Sequence, residues 1–538
     1  MKTTRARRVR RAALSAVSAV SVAAAVLAAS AGGAVASPTS GGANPIVRID
    51  GGLIRGASAT GVNSFLGLPY AAPPTGKLRW RPPQPASSWS GVRDATQFGA
   101  SCPQAQERNP FLPPGIISED CLYLNVYTPT LRPGSSRPVL VWIHGGGLVQ
   151  DGARNYDGTK LAADGTVVVT INYRLGALGF LAHPALASRP GGAAGNYGLM
   201  DQQAALRWVQ RNIEQFGGDP NHVTIAGQSA GGLSVLAQMV STGARGLFQR
   251  AIVQSGTFAL NQRPLATAEA AGQTFATAVG CADQSAACLR NVPVSDLVSK
   301  FGVEIPGVVD GSVLTQPIGT ALARGQFARV PVINGITHDE ELLFVAGLGI
   351  TVSQGTNIPL AGDPKDPANY QANIAQALGV TDTRAAAIAA EYPLSAYPSP
   401  VVALSLLVSD ASFACPALQV DRWTAARGVP TYAYQFNDDN APVNILGFSL
   451  GLATHGAELP YLFDQPNTPV TLNDAQQALA ASMRTAWARF AASGNPSTHA
   501  LPWPSIGNGT KVLSFVPSQS QVTTDFAAAH HCSFWAAG

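Results

Sequence analysis

The sequence predicts an α/β fold with a large, mostly parallel central sheet and helices on both faces. Short apolar runs rich in β-branched residues recur along the chain, and helical patterns lie between them. Uninterrupted apolar strands that alternate with helices are typical of a sheet covered on both sides. The expected strands are 138–143 (PVLVWI), 166–173 (TVVVTINY), 222–226 (HVTIA), 251–254 (AIVQ), 330–334 (VPVIN) and 431–436 (TYAYQF).

The helical parts differ in how clearly the sequence marks them. The clearest helix is expected over residues 199–216, where apolar residues recur at helical spacing: Leu206, Val209, Ile213 and Phe216. Residues 351–400 are rich in Ala, Gly, Pro and Asp and contain no strong strand, so a helical insertion is expected there, beside the mouth of the site. No linker or repeat divides the chain, and residues 37–538 are predicted to form a single domain.

The first 36 residues have the three parts of a secretory signal peptide. A cationic segment runs from Lys2 to Arg11, an apolar one from Ala12 to Ala29, and small residues end it at Ala34-Val35-Ala36. A membrane anchor is the alternative, but the stretch is weakly apolar and ends in a cleavage signature. Paired arginines leave the Sec and twin-arginine routes open. No later stretch is expected to span a bilayer, so the prediction is a secreted protein without stable membrane anchoring.

Composition narrows the classes of partner. Hydrophobic residues make up 46% of the chain, enough for a sizeable core, and charged residues only 12%. Six of the 35 basic residues and none of the 31 acidic ones lie in the leader, so the remainder is nearly neutral. Because no basic stripe follows the leader, nucleic acid is not expected as a partner.

Six cysteines all lie in the exported part: Cys102, Cys121, Cys281, Cys288, Cys415 and Cys532. An even number in an exported chain predicts disulfides. Zinc binding is the alternative, but the chain has no CxxC and no clustered Cys/His spacing. Cys281 and Cys288 could close a small loop, whereas spacing cannot pair the others, since six cysteines allow about 15 connectivities.

The pattern Gly-x-Ser-x-Gly occurs twice, around Ser229 (227–231, GQSAG) and around Ser449 (447–451, GFSLG). A nucleophile elbow needs a strand before the serine, a strained turn with small flanking residues, and a helix after it. Ser229 follows HVTIA and precedes a helical pattern from Ala230. Ser449 has bulky neighbours and no helix directly after it. The nucleophile is therefore assigned to Ser229 in an α/β-hydrolase arrangement.

An oxyanion hole is expected from His144-Gly145-Gly146-Gly147, which directly follows the strand PVLVWI. The N–H groups of Gly146 and Gly147, together with that of Ala230, would hold a developing negative charge. A simple glycine-rich turn is the alternative if this segment is considered alone.

The general base is assigned to His455 among eight histidines. In this fold the acid and then the histidine follow the serine along the chain. His455 lies in a Gly-flanked loop after the strand TYAYQF, whereas His499, His530 and His531 lie in a polar loop and at the C-terminal end. A solvated loop histidine is the alternative.

The acid should follow a strand at the same edge of the sheet. Asp339, Glu340 and Glu341 directly follow the strand VPVIN and its extension, and position alone does not choose among them.

The chain resembles the type-B carboxylesterase/lipase family, the cholinesterase-like esterases, along nearly the whole mature sequence. The stretches that carry the resemblance are 119–126 (EDCLYLNV), 172–181 (NYRLGALGFL), 196–232 (NYGLMDQQAALRWVQRNIEQFGGDPNHVTIAGQSAGG), 251–256 (AIVQSG) and 308–311 (VVDG). The resemblance implies an α/β-hydrolase fold and hydrolysis of carboxylic esters.

The resemblance also implies roles for single residues. The family's Asp-Glu-Gly after a strand corresponds to Asp339-Glu340, which makes Glu340 the triad acid, and its His-Gly-x-Glu corresponds to residues 455–458. The implied scaffold consists of the disulfides Cys102–Cys121, Cys281–Cys288 and Cys415–Cys532, a buried Arg79–Glu119 ion pair, and a Ser255 hydroxyl hydrogen-bonded beneath the triad.

Two positions depart from the family pattern. Glu341 stands where glycine is usual and brings a second carboxylate beside the acid. Gln228 stands where glutamate is frequent, and the loop from Cys102 to Cys121 contains no tryptophan to stack on a quaternary ammonium. Choline esters are therefore expected to have no special advantage.

The predicted function is a secreted serine carboxylesterase that acts on small-molecule esters and needs no metal or organic cofactor. A non-catalytic binding protein on the same fold is one alternative, and an amidase or thioesterase with the same triad is another. The sequence leaves open the substrate's acyl length and alcohol, enantiomer preference and oligomeric state. Pocket width is expected to depend on the loop 109–117 and on the insertion.

Overall fold

The computed structural model of the chain describes residues 44–105, 116–132, 134–187, 194–301, 307–353, 356–442, 444–445, 448–449, 452–466, 468–507 and 509–537. The predicted signal peptide, residues 1–36, lies outside this part, as do residues 109–115 of the loop 109–117. Contacts group Asn44–Gly538 as one unit.

The strands of the described part are β1 (Ile46–Ile49), β2 (Gly52–Arg55), β3 (Ala57–Ala59), β4 (Val62–Pro69), β5 (Val92–Asp94), β6 (Tyr123–Thr128), β7 (Arg137–Ile143), β8 (Val167–Ile171), β9 (Gly218–Gln228), β10 (Arg250–Gln254), β11 (Arg263–Pro264), β12 (Val308–Val309), β13 (Val332–Thr337), β14 (Ile350–Ser353), β15 (Thr356–Pro359), β16 (Thr431–Phe436), β17 (Asn444–Ile445), β18 (Phe448–Ser449), β19 (Val512–Phe515) and β20 (Gln521–Thr523).

The helices are α1 (Thr159–Ala163), α2 (Gly176–Phe180), α3 (Tyr197–Asn212), α4 (Ala230–Val240), α5 (Leu265–Ala278), α6 (Ala286–Asn291), α7 (Val294–Lys300), α8 (Ile318–Ala323), α9 (Tyr370–Leu378), α10 (Asp382–Glu391), α11 (Pro400–Ser409), α12 (Cys415–Ala425), α13 (Leu459–Leu462), α14 (Asp474–Ser493), α15 (Phe526–Ala529) and α16 (Cys532–Ala536). Two π-helical segments, Leu343–Leu348 and Asp410–Ala414, border the site described below.

One large sheet organises the fold, in the strand order β20-β19-β16-β13-β10-β9-β7-β8-β6-β4-β3. Every neighbouring pair from β19 to β8 is parallel, and the flanking strands β20, β6, β4 and β3 pair antiparallel. Gln228 at the end of β9 lies opposite Gln254 at the end of β10, which lies opposite Gly335 of β13. The loops after these strands therefore leave the sheet at one edge.

Strand β7 shows why the sheet is buried on both faces. Val139, Val141 and Ile143 pack into one core cluster, whereas Leu140 and Trp142 pack into another on the opposite face. Successive side chains of a strand point to opposite faces, so an apolar run needs cover on both sides. Helices α3, α4 and α12 contribute to the first cluster and α14 to the second. The predicted α/β architecture is confirmed.

Antiparallel strands at both edges of the sheet are absent from the sequence-based prediction. β4 and β6 combine polar and apolar residues, and β4 contains Gly67 and Pro69, which are typical of loops. The pairing of β4 with β6 shifts register between Phe65 and Leu68, and Gly67 within that irregularity has φ 65°. A glycine with positive φ is typical of a β-bulge, and here it mimics a turn signal.

The expected helical insertion is only partly correct. Helices α9 and α10 lie within residues 351–400, but the segment begins with the antiparallel hairpin β14–β15. The β-branched run from Ile350 to Val352 carries a strand pattern that the glycine- and proline-rich composition hides. The backbone N–H of Val352 also bonds the carboxylate of Glu341, which ties the hairpin to the loop after β13.

The expectation that no later stretch could span a bilayer by length and apolarity is wrong. α11, the second π-helical segment and α12 form a 26-residue helix, Pro400–Ala425, with a mean hydropathy of 1.8 in its most apolar window. That window is 67% buried within the fold. Its apolar character therefore fits a core helix, because such a helix is hydrophobic all round when protein covers it.

Candidate active site

Ser229 lies at a strained turn between β9 and α4. Its backbone has φ 57° and ψ −126°, a conformation that residues with a Cβ rarely adopt. Two backbone hydrogen bonds stabilise the turn, from Ser229 N to Gln254 O at 2.8 Å and from Leu233 N to Ser229 O at 2.9 Å. A Cβ on Gly231 would lie 2.0 Å from the carbonyl oxygen of Ile143, so only glycine allows α4 to pack this close to β7. The arrangement is that of a nucleophile elbow.

Ser449 has a different environment. It ends β18, which pairs antiparallel with the equally short β17. The next helix of the described part, α13, begins only at Leu459. No described residue between Ser449 and Leu459 is helical, whereas a nucleophile elbow passes directly into a helix.

His455 and Glu340 form a buried pair at the same edge of the sheet. His455 Nδ1 lies 2.5 Å from Glu340 Oε2, and the exposed fractions are 8% for His455 and 0% for Glu340. The other carboxylate oxygen, Oε1, accepts a hydrogen bond from Thr337 N at 2.9 Å. A bridge between Asp339 and Thr454 joins the loop after β13 to the histidine loop. Among the three neighbouring carboxylates, only Glu340 faces the histidine.

The two other carboxylates point elsewhere. Asp339 accepts from His338 Nδ1 at 3.0 Å on the half-exposed side of the loop. Glu341 is fully buried, and Val352 N lies 3.1 Å from both of its oxygens. Burial raises the pKa of Glu341 well above its usual range, and the nearby charge of Glu340 raises it further. The second carboxylate expected beside the acid is therefore turned into the interior, toward Val352 N and away from His455.

The side chain before the serine contacts the histidine directly. Gln228 Nε2 lies 3.1 Å from His455 Nε2, and both side chains are buried. Among the described residues no hydrogen bond joins Ser229 Oγ to the histidine. Catalytic hydrogen bonds are often loose or misaligned in the absence of substrate. The amide of Gln228, the residue before Ser229, therefore occupies the ring nitrogen that does not face Glu340.

The glycine turn after β7 approaches the same serine. A Cβ on Gly145 would lie 3.1 Å from Ser229 Cβ. Gly146 and Gly147 have φ values of 81° and 61°. Within the described part of the chain, the N–H groups of Gly146, Gly147 and Ala230 have no hydrogen-bond acceptor, so they are free to bind an anionic oxygen.

His144 packs beneath this turn. Its ring stacks on Tyr173 at 4.4 Å between centroids, and the Tyr173 hydroxyl donates to His144 O at 2.8 Å. Burial lowers the pKa of His144. The neutral ring is therefore a packing element beneath the glycine turn.

The other candidate histidines lie elsewhere. His222 and His499 are exposed, His530 binds Asp410 at 2.5 Å, and His531 binds Glu391 at 2.6 Å. In the described residues, His455 alone combines a buried carboxylate with the neighbourhood of Ser229.

The implied scaffold is present except for one contact. The disulfides Cys102–Cys121, Cys281–Cys288 and Cys415–Cys532 are formed. Arg79 Nε and Nη2 donate to Glu119 Oε1 and Oε2 at 2.6 and 2.7 Å. The expected hydrogen bond of Ser255 is wrong, because its buried Oγ has no partner among the described residues. Thr337 N and His455 Nδ1 already engage the two oxygens of Glu340.

Three aromatic residues around the histidine were not predicted. The rings of Phe344 and Phe413 lie 5.4 and 5.5 Å from the His455 ring, and Phe258 packs 5.5 Å from Phe413. Phe344 and Phe413 lie on the two π-helical segments, a feature frequent at functional sites. Their position follows from helix irregularity, which the sequence pattern does not show. Phe344 is only partly buried and adds an apolar surface beside the base.

Comparison with known proteins agrees with this geometry. The family model described as "Carboxylesterase family" matches residues 43–535. The chain belongs to the carboxylesterase family. Members of this family are hydrolases that act on carboxylic esters, and their fold is the α/β hydrolase, which confirms the fold and the enzyme class expected from the resemblance.

Curated relatives of this carboxylesterase-family chain match over most of their length. Pyrethroid hydrolase Ces2a of Mus musculus is 36% identical over 500 residues, 88% of this chain and 88% of the relative. Cocaine esterase of Homo sapiens is 36% identical over 507 residues, 90% of this chain and 88% of the relative. Acylcarnitine hydrolase of Mus musculus is 36% identical over 502 residues, 88% and 87% of the two chains.

Proposed function

We propose that the protein is a secreted serine carboxylesterase in which Ser229, His455 and Glu340 form the catalytic triad. The observation that carries this proposal is the buried 2.5 Å contact between His455 and Glu340 beside the strained elbow of Ser229. A serine hydroxyl is a weak nucleophile unless an adjacent base removes its proton. A histidine whose other nitrogen faces a carboxylate is suited to that task.

The reaction has two acyl-transfer steps. Ser229 Oγ attacks the ester carbonyl carbon while its proton moves to His455 Nε2. The carbonyl oxygen, now negative, accepts hydrogen bonds from Gly146, Gly147 and Ala230 N–H. The carbon–oxygen bond to the alcohol breaks, and the proton on Nε2 leaves with the alkoxide. Water then attacks the acyl-enzyme, gives its proton to Nε2, and the acid is released as Ser229 Oγ takes that proton back.

Glu340 keeps the imidazole in the productive tautomer throughout. Its carboxylate accepts from Nδ1–H, which leaves the lone pair on Nε2, and it stabilises the imidazolium that forms in each step. Since Glu340 is fully buried, water screens this interaction little. Each free N–H of the oxyanion site is expected to contribute about 3–4 kcal/mol to transition-state stabilisation.

The proposed substrates are uncharged esters. Gln228 carries no charge that would attract a cation, and the partly buried ring of Phe344 offers an apolar contact near the base. The relatives are named for pyrethroids, cocaine and acylcarnitine. Such different names support ester hydrolysis in general and no single acyl or alcohol group.

Export is proposed from the leader and supported by the disulfides. Three disulfides are formed in the described part of the chain, and such bonds persist in oxidising compartments. N-terminal sequencing of protein secreted from cells that carry the full gene should begin at Ser37. A mature protein that keeps Lys2 to Arg11 would contradict the proposed cleavage.

The proposed nucleophile is tested by covalent labelling. A fluorophosphonate probe should attach to Ser229, located by peptide mass spectrometry, and Ser229→Ala should lower kcat by about 10⁴-fold or more. The matched control, Ser449→Ala, should keep both labelling and turnover. Labelling that persists in Ser229→Ala and disappears in Ser449→Ala would reject the elbow assignment.

A further inference from the structure

We propose that Gln228 is a positioning residue for the base: its side-chain amide donates a hydrogen bond to His455 Nε2 in the resting enzyme and holds the ring in its neutral form. This inference rests on the proposed function. It concerns a contact that sequence reasoning did not foresee, since Gln228 was considered only as a position that lacks a negative charge.

The direction of the hydrogen bond follows from the partners of the ring. A carboxylate can only accept, so Glu340 Oε2 at 2.5 Å from Nδ1 places the ring proton on Nδ1. His455 Nε2 then carries a lone pair and needs a donor. The amide of Gln228 lies 3.1 Å away, and only its NH2 group can serve as that donor. The opposite amide orientation would bring two acceptors together.

Gly145 leaves room for the amide, and Gly456 lies in ordinary contact with it. A Cβ on Gly145 would lie 3.2 Å from Gln228 Oε1, and a Cβ on Gly456 would lie 3.7 Å from Gln228 Nε2. The amide thus lies between the glycine turn after β7 and the loop that carries the histidine. Gln228 itself is 4% exposed, so the hydrogen bond is shielded from water.

Protonation of the ring would disrupt this contact. With a proton on both nitrogens, Nε2–H would face the NH2 group of Gln228, and two donors would oppose each other until the amide turned over. A hydrogen bond to the neutral form of a group favours that neutral form. Gln228 therefore pairs with the neutral ring, whereas a carboxylate in its place would pair with the imidazolium.

Other titratable groups lie around the ring of His455 and contribute to its electrostatic environment. From the loop after β13 the ring faces Glu340, and from its own loop it interacts with Glu458, whose pKa burial raises to about 7. Glu341 and the hydroxyl of Tyr434 lie behind these carboxyls, and burial raises the pKa of each well above its usual range.

Within the described part of the chain, the remaining elements packed against the ring add no unpaired charge. Phe344 and Phe413 supply only rings. Asp410, on the segment of Phe413, is paired with His530, and Asp339, in the loop before the segment of Phe344, is paired with His338. Replacement of Gln228 therefore changes the hydrogen-bond partner of His455 Nε2 and leaves Glu340, the partner of Nδ1, in place.

The test compares pH profiles of kcat/KM for a neutral p-nitrophenyl ester. In Gln228→Glu a carboxylate faces Nε2 and stabilises the imidazolium, so the midpoint of the acidic limb should move up by about one pH unit or more. Gln228→Met keeps the length but removes both the donor and the acceptor of the amide, and its midpoint should differ from that of the wild type by a few tenths to about one unit. Gln477→Glu makes the same chemical change at an exposed position of helix α14 and should leave the profile unchanged.

The outcomes separate this proposal from the proposed function. Profiles of both Gln228 variants that superimpose on the wild type would overturn the positioning role, as would a loss of kcat/KM that is equal at every pH. If Gln228→Glu does not fold, Gln228→Met decides by the same criterion. A wild-type enzyme that neither hydrolyses esters nor labels at Ser229 would instead reject the proposed function, and this proposal with it.

Discussion

Replacement of Glu340 by glutamine should remove most of the activity, whereas the same change at Glu341 should not. Glu340 lies 2.5 Å from His455 Nδ1 and is fully buried. The substitution keeps the shape of the side chain and deletes its charge. It also lets the amide present an NH2 group to Nδ1, which favours the wrong imidazole tautomer.

The magnitude follows from the charge pair formed in the transition state. With about 4 Å between the centres of the imidazolium and the carboxylate and an effective dielectric near 20, the attraction is about 4 kcal/mol. At ~1.4 kcal/mol per tenfold in rate, its loss lowers kcat by about 10³-fold. Loss of the correct tautomer raises the expected effect toward ~10⁴-fold.

Glu341 provides the matched control one residue away. Its carboxyl is buried and binds Val352 N, and burial raises its pKa well above its usual range, so glutamine there leaves the contact between Glu340 and His455 intact. A glutamine oxygen can still accept from Val352 N, and kcat should stay within about twofold.

The assay is initial-rate hydrolysis of a p-nitrophenyl ester at pH 7.5 by purified variants. Melting curves run alongside it exclude unfolding as the cause of lost activity. Equal losses in the two variants, or a larger loss at Glu341, would show that the triad acid is misassigned.

Three other results are expected. Butyrylcholine should be cleaved no faster than a neutral butyrate ester with a comparable leaving group, because Gln228 lacks a charge; a strong choline preference in kcat/KM would contradict this. Cys415→Ser opens a bridge that spans 117 residues and should cost about 5 kcal/mol of stability, against about 2 kcal/mol for Cys281→Ser at a separation of 7, in the chain-entropy view. The reverse order of melting temperatures would count against loop length as the cause. Burial raises the pKa of Asp421 to about 8 from an unfolded value near 4, so its stabilisation is full below about pH 4 and is lost as pH rises to about 8. In the wild type, this carboxyl should make the free energy of unfolding, measured with urea, fall by about 1.4 kcal/mol per pH unit in that range, and Asp421→Asn should remove this fall. An unchanged fall in the variant would show that Asp421 is not its source.

Much of the site could be predicted because its chemistry follows local patterns. The sequence marks the elbow at Ser229 by small residues between a strand and a helix. Gly231 shows the reason, because any larger residue there would collide with Ile143 O. The glycine turn at Gly146 and Gly147 likewise follows β7 directly. Such features depend on backbone conformation over a few residues, which sequence encodes closely.

Other elements were hidden because local composition misleads. The bulge at Gly67 in β4 resembles a turn, and the hairpin β14–β15 lies in a glycine- and proline-rich segment. The helix Pro400–Ala425 contains a π-helical segment, and Phe413 of this segment packs against the histidine ring. Its apolar composition alone does not distinguish a core helix from a membrane span.

The order of motifs along the chain by itself predicted the α/β class and the family, and it indicated Ser229 and His455 as the candidate nucleophile and base. It could not choose physically among Asp339, Glu340 and Glu341, because adjacent side chains on a turn point in different directions. The tertiary structure distinguishes them. Asp339 pairs with Thr454, the carboxylate of Glu340 faces His455, and that of Glu341 binds Val352 N in the interior. The contact between Gln228 and His455, 227 residues apart, likewise exists only after the sheet brings β9 and the histidine loop to the same edge.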